Sequence, residues 1–213
     1  TTKREFQKIT KIPIEVITNG YDSIDDFKPN LDAKFTLSHI GTLLSNRNPI
    51  ILWEALSELC SENSHFSEDL LIQLAGSLSD AILISIQKYG LMDQCITLGY
   101  LSHQKAIQLQ CNSQILLLIE MNLSEAKAII PAKLFEYLAA KRPIIAIGPV
   151  DSDVEKIIKE TNSGSYCAYS EKEKLKNQIS LYYQAYRHGN LSVNSKGLSK
   201  FSRKRLTSKM SNL

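Results

Sequence analysis

From about residue 34 onward the chain alternates short apolar runs with longer segments whose apolar residues recur at helical spacing. This pattern predicts strands at 34–40, 70–75, 95–98, 114–119, 143–147 and 165–169. It predicts helices at 49–60, 79–89, 102–111, 151–160 and 171–187, with a further short helix opening at Pro131. Proline suits a first helical position, where its missing N–H leaves no bond unmade. Ser79 or Asp80, and Ser102, stand where helix caps belong, and Gly76, Gly90 and Gly99 stand where elements end. The 114–119 run is apolar on both faces, as a central strand should be.

Strands and helices alternating at this spacing imply right-handed crossovers and a parallel sheet covered on both sides. The fold class is therefore α/β, a doubly wound, Rossmann-like sheet of about six strands. In that architecture ligands sit beyond the carboxyl ends of the strands, where the strand order reverses. Two flanks lie outside the repeating pattern. Residues 1–32 read as a linker with a short strand at 14–17 and a turn at 18–22, in which Gly20 is free to take positive φ. Residues 190–213 read as a basic, weakly amphipathic helix whose charges form a solvated face. Between them, 33–189 form the core domain.

Composition narrows the choice of chemistry. With 43% hydrophobic and 22% charged residues, the 213-residue chain has the makings of a proper core. A net charge of +3 is too mild to argue for nucleic acid. No apolar run approaches the roughly 20 residues of a membrane-spanning helix. Cys60, Cys95, Cys111 and Cys167 are scattered, and His39, His65, His103 and His188 are not spaced to join them in a zinc site. That reads as reduced thiols and no metal, in a cytoplasmic setting. The chain opens with neither an initiator Met nor an apolar leader and reads as a piece excised from a longer protein.

The candidate chemistry lies in the loops after the strands. Gly41 and Thr42 follow the first core strand, and Arg47 leads into the next helix. A glycine that admits a ligand, a cation and free helix N–H groups together make a receptor for a diphosphate. Neither a Walker loop nor Gly-x-Gly-x-x-Gly is present. Gly99, Tyr100 and Leu101 follow the third strand, where the ring either flanks a planar base or packs over the strand end. His103 falls in the first turn of an exposed helix. The 120–130 loop is long and polar enough to serve as a clamp or lid. Nothing fixes the geometry of a Glu120 and Glu125 dyad. In the Pro131 helix, Lys133 reaches a phosphate or snorkels to solvent. Glu136 sits in a segment otherwise suited to burial and needs a partner there. A polyhydroxyl ligand would provide one; otherwise Glu136 faces water.

In order and spacing these residues resemble the C-terminal half of a GT-B-fold glycosyltransferase of the group 1, or family 4, kind. Ile14-Glu-Val-Ile-Thr-Asn-Gly-Tyr-Asp22 resembles the segment entering the donor domain. Gly41 with Arg47 resembles the diphosphate grip, and Ile96-Thr-Leu-Gly-Tyr100 the strand and loop beside the base. Pro131-Ala-Lys-Leu-Phe-Glu-Tyr-Leu-Ala-Ala-Lys-Arg-Pro143 resembles the helix whose glutamate holds the ribose. The basic C-terminal helix resembles the one that crosses back to the N-terminal domain.

The resemblance implies a retaining transfer of a sugar from a nucleotide-sugar to a glycan or lipid-linked acceptor in bacterial surface or capsular polysaccharide assembly. It implies no cofactor and no obligatory metal. The location would be cytoplasmic, at most peripheral at the inner face of the membrane. Gly41, Thr42, Arg47 and Lys133 would hold the diphosphate and Glu136 the ribose. Gly99, Tyr100 and Leu101 would flank the base, and Ala128, Ile129, Ile130 and Pro131 would border the sugar. The acceptor domain, with any base it carries, would lie in a missing N-terminal half, so the catalytic residues stay unassigned and this piece would bind nucleotide weakly and transfer no sugar alone.

Two positions depart from the family pattern: Ala128 stands where a first glutamate is expected and Thr42 where an arginine is common. The variant Ile-Ile-Pro-Ala-Lys-Leu-Phe-Glu-Tyr resembles a surface-polysaccharide subgroup in which Lys133 would supply part of the missing charge. A nucleotide-sugar 2-epimerase on the same fold is one alternative. A non-catalytic Rossmann-like module docking a partner through its flanks is the other.

Overall fold

The computed structural model describes residues 2–24 and 27–212. Within the 1–32 and 190–213 flanks, residues 1, 25, 26 and 213 lie outside the described residues. The chain runs α1 (Thr2–Phe6), β1 (Phe35–Ile40), α2 (Ile50–Glu62), α3 (Ser64–Asp69), β2 (Leu70–Ala75), α4 (Asp80–Lys88), β3 (Cys95–Gly99), α5 (His103–Asn112), β4 (Ile115–Ile119), α6 (Ala132–Ala140), β5 (Ile144–Gly148), α7 (Asp153–Thr161), β6 (Gly164–Ala168), α8 (Lys172–Arg187) and α9 (Arg203–Met210). The six strands pair in parallel in the order β3-β2-β1-β4-β5-β6. The order reverses between β1 and β4, and that crevice is where such sheets bind ligands.

Side-chain alternation along the strands divides the core into two layers. Phe35, Leu37, Ile72, Leu74, Ile115, Leu117, Ile145 and Ile147 meet α2, α3, α4 and α8 on one face. Ile40, Leu116, Leu118, Ile144 and Ala146 meet α5, α6 and α7 on the other. β4 is buried along its whole length because it lies mid-sheet between β1 and β5. In α6, Leu134, Phe135, Tyr137, Leu138, Ala139 and Ala140 are all buried. Pro131 brings no side-chain cap, a loss of about 1 kcal/mol. Burial of the large apolar side chains outweighs it at roughly 2 kcal/mol each. Ile40 N–H also donates to Tyr137 Oη at 2.9 Å, fixing α6 over the end of β1.

Several boundaries differ from the sequence pattern, each for a local reason. Residues 14–17 pair with no strand; among the described residues of this flank, Tyr21 makes an isolated bridge to Ser202. Gly20 does not take positive φ. It is needed because a side chain there would strike Phe201 O at 2.4 Å. The 190–213 segment is not one helix: Gly197 turns left-handed (φ 66°), Leu198–Phe201 make a 3₁₀ turn, and Ser202 caps the eight-residue α9. Phe201 is the anchor, packed against Phe135 at a ring separation of 5.5 Å. Pro131 precedes α6 with extended ψ rather than opening it. α7 starts at Asp153, because Asp151 takes φ 63° and Ser152 caps through Val154 N–H. Ser79 precedes α4 but its hydroxyl makes no capping bond. The pattern missed α1 and α3, both short.

Candidate functional site

The loops leaving β1, β2 and β3 are zipped together by backbone bonds that continue the sheet beyond its strands. Gly41 N–H donates to Ala75 O at 2.8 Å, Leu43 N–H to Ser77 O at 2.9 Å and Gly76 N–H to Gly99 O at 2.7 Å. Gly76 (φ 116°) has no room for a side chain, whose Cβ would lie 2.3 Å from Gly41 O. The loops hold open a depression of about 310 Å³ bordered by Gly41, Thr42, Tyr100, Leu101 and Lys133. Gly99 does not line it. Tyr100 is 93% exposed, so it does not pack over the strand end; it stands beside the depression as a free aromatic wall.

Glu136 neither waits for a ligand alone nor simply faces water. Its Oε2 accepts from Gln110 Nε2 at 2.9 Å and from Lys133 Nζ at 2.6 Å. The Lys133–Glu136 pair is about a third exposed on each side, so it is worth little to stability and is free to exchange partners. Glu136 opens not into the main depression but into an adjoining cavity of about 120 Å³, walled by the 19–24 segment and by α5. His103, exposed at the start of α5, borders both.

Arg47 does not open α2. It ends a 3₁₀ turn, Ser45–Arg47, and α2 begins after Pro49. Arg47 lines neither cavity, although its charge and that of Lys133 both disfavour a proton on the buried imidazole of His39. Ala128 ends the 3₁₀ turn Ser124–Ala128 and residues 129–131 follow it, with Ile129 half exposed; none of them lines either cavity.

His39 and Glu120 gave little signal in the sequence, although a histidine closing an apolar strand and a glutamate directly after one are both unusual. His39 Nδ1 lies 3.1 Å from Leu117 O and donates to it, leaving Nε2 without a partner among the described residues. Burial holds the imidazole down at about 4, hence neutral. Glu120 is buried and makes no dyad with exposed Glu125. Its Oε1 accepts from Ser152 Oγ at 2.8 Å, Oε2 lies 2.8 Å from Tyr166 Oη, and its backbone carbonyl accepts from Tyr169 Oη at 2.7 Å. Burial pushes the carboxyl up to about 7, against hydrogen bonds and the charge of Arg47 that favour ionisation.

No protein-family profile matches the chain, and no curated protein matches it in sequence. Solved structures do match in shape. The lipopolysaccharide outer core galactosyltransferase WaaB superposes with a TM-score of 0.69 at 15% identity, over 98% of this chain and 58% of its own. A point mutant of TarM from S. aureus, in complex with fondaparinux, alpha-GlcNAc-glycerol and UDP, gives 0.68 at 14% identity, over 98% of this chain and 41% of its own. The C-terminal domain of a group 1 glycosyl transferase (LpcC) from Francisella tularensis gives 0.55 at 13% identity, over 84% of this chain and 88% of its own. The chain thus has the fold of the C-terminal domain of GT-B, group 1 glycosyltransferases and spans about half the length of WaaB and TarM. No helix among the described residues is long and apolar enough to cross a membrane, and no three His, Cys, Asp or Glu among them are placed to hold a metal.

Proposed function

We propose that this chain is the donor-binding half of a retaining glycosyltransferase, moving a hexosyl group from a nucleotide-sugar to a glycan or lipid-linked acceptor in surface-polysaccharide assembly. One observation carries the reading. The Gly41–Thr42 loop, the Tyr100–Leu101 loop and Lys133 border a single depression at the carboxyl ends of β1 to β3, next to Glu136. The bound UDP of the structurally similar TarM complex supports a nucleoside diphosphate as its occupant.

In this reading the diphosphate draws Lys133 away from Glu136, which turns to the ribose hydroxyls. Tyr100 and Leu101 flank the base. Positive charge from Lys133 and Arg47, with the uncapped amides opening α6, stabilises the departing diphosphate; such electrostatic help supplies a large share of the rate gain in group transfer. Ala128 to Pro131 would face the sugar once an acceptor domain closes over them. That domain and any catalytic base lie outside this chain, and the work is done at the cytoplasmic side of the membrane. No metal or cofactor is required.

Titration calorimetry with uridine and guanosine diphosphates tests the reading. Weak binding of one of them is expected, and Lys133→Ala should weaken it about tenfold, one charge-assisted contact. No heat with either nucleotide would point instead to a docking module. Sugar transfer by the chain alone would show that no acceptor domain is needed.

A further inference from the structure

Directly after β4, the hydrogen bonds around Glu120 do not balance if it is ionised. Tyr166 Oη lies 2.8 Å from Glu120 Oε2 and 2.7 Å from Pro149 O. A carboxylate and a carbonyl both accept, and a phenol brings a single proton. With a proton on Glu120 Oε2 the count closes: Glu120 donates to Tyr166 Oη, and Tyr166 donates to Pro149 O. Ser152 is already committed, its hydroxyl donating to Oε1 while accepting from Val154 N–H. Gly148 leaves the space, since a Cβ there would lie 2.4 Å from both Glu120 Oε2 and Tyr166 Oη.

The turn that ends at Arg47, the charge proposed to grip the diphosphate, packs next to this acid. Asn46 Nδ2 is 3.4 Å from Met121 Sδ, which lays the Ser45–Arg47 turn against the residue following Glu120. The groups facing Glu120 are Arg47 from that turn, Ser152 and Asp153 from the start of α7, Tyr166 from β6 and Tyr169 just after it. Arg47 favours its ionisation and Asp153 opposes it. An ionised Glu120 would answer the charge of Arg47 and repel an incoming anion; a neutral one leaves that charge to the ligand.

We propose that Glu120 is a positioning residue for the donor site: it is held as a neutral acid, and its proton reserves Arg47 for the diphosphate. The proposal rests on the donor-binding reading. Diphosphate binding then favours the protonated form and is linked to proton uptake. Burial already places this carboxyl at about 7, so the effect falls near neutral pH.

The test is calorimetry of the 213-residue chain with uridine and guanosine diphosphates between about pH 6 and about pH 8.5, for wild type and Glu120→Gln. Glutamine copies the neutral acid. Wild-type affinity should fall as pH rises past about 7, by up to tenfold per unit, while Glu120→Gln keeps its low-pH affinity throughout. Equal pH profiles in the two proteins would overturn the proposal and leave the donor reading standing. Binding of neither nucleotide at any pH would remove the donor reading, and the coupling with it. Infrared difference spectra of the wild type need no nucleotide: a protonated-carboxyl stretch lost as pH rises past about 7 is expected, and its absence at about pH 6 overturns the proposal.

Discussion

Two glutamates lie at the same end of the sheet and show opposite solutions to a carboxyl beside a binding site. Glu136, on α6, is about a third exposed and satisfied by Lys133 and Gln110. Glu120, after β4, is buried and satisfied by Ser152 and Tyr166. The first is paired with a cation that a ligand can take over. The second is paired with buried or half-buried hydroxyls, and burial favours its protonated form. Around Glu136 the molecule is open, and around Glu120 it is closed. Exchangeable partners mark the region that binds, and committed partners mark the region that holds its shape.

The largest expected effect breaks the closed side. Gly148→Ala drives a methyl into Glu120 Oε2 and Tyr166 Oη and should cost about 3 kcal/mol, read from urea unfolding. Gly99→Ala on the open side meets nothing within 4 Å and should cost only about 1 kcal/mol, for its left-handed backbone. Equal losses would erase the distinction between the regions.

Next comes the pH dependence of stability. Glu120 binds its proton more tightly folded than unfolded, so as pH rises from about 4.5 to about 7 its contribution falls by roughly 3 kcal/mol. His39 is the reverse: the folded imidazole refuses a proton that the unfolded one takes, so stability is lost as pH falls from about 6.5 to about 4. The two slopes oppose each other over nearly the same window. Glu120→Gln should expose the His39 slope, with stability rising from about pH 4 to about pH 6.5 and a higher melting temperature than wild type at about pH 8. An unchanged stability profile would mean that Glu120 is not held neutral.

The smallest effect sharpens the open side. Tyr100→Ala should leave the melting temperature unmoved, because the ring buries almost nothing. It should weaken nucleotide binding by about 1 kcal/mol if the ring stacks on a base. Unchanged affinity would remove Tyr100 from the site.

Much of this was legible in the chain itself. The alternation of strand-sized and helix-period segments placed every strand to within a residue or two, most plainly β4 and β5, which are apolar throughout because they are buried on both faces. The run 114–119, apolar on both faces, announced the centre of the sheet. Gly41, Thr42, Tyr100, Leu101 and Lys133 could be proposed as neighbours because residues just past parallel strands share one end. The isolated strand at 14–17 and the long C-terminal helix were misread, since local pattern says nothing about whether a partner strand or an anchor such as Phe201 is at hand.

By itself, then, the sequence determined the layers, the parallel sheet and the end at which chemistry gathers, all of which follow from hydrophobic periodicity and chain direction. Only the tertiary structure decided that Arg47 lines neither cavity, that Gln110 already answers Glu136 across 26 positions of chain, and that Glu120 meets Tyr166 across 46. Those are contacts between side chains distant in sequence. Burial, hydrogen-bond count and charge come to bear on them only once the strands have set their loops side by side.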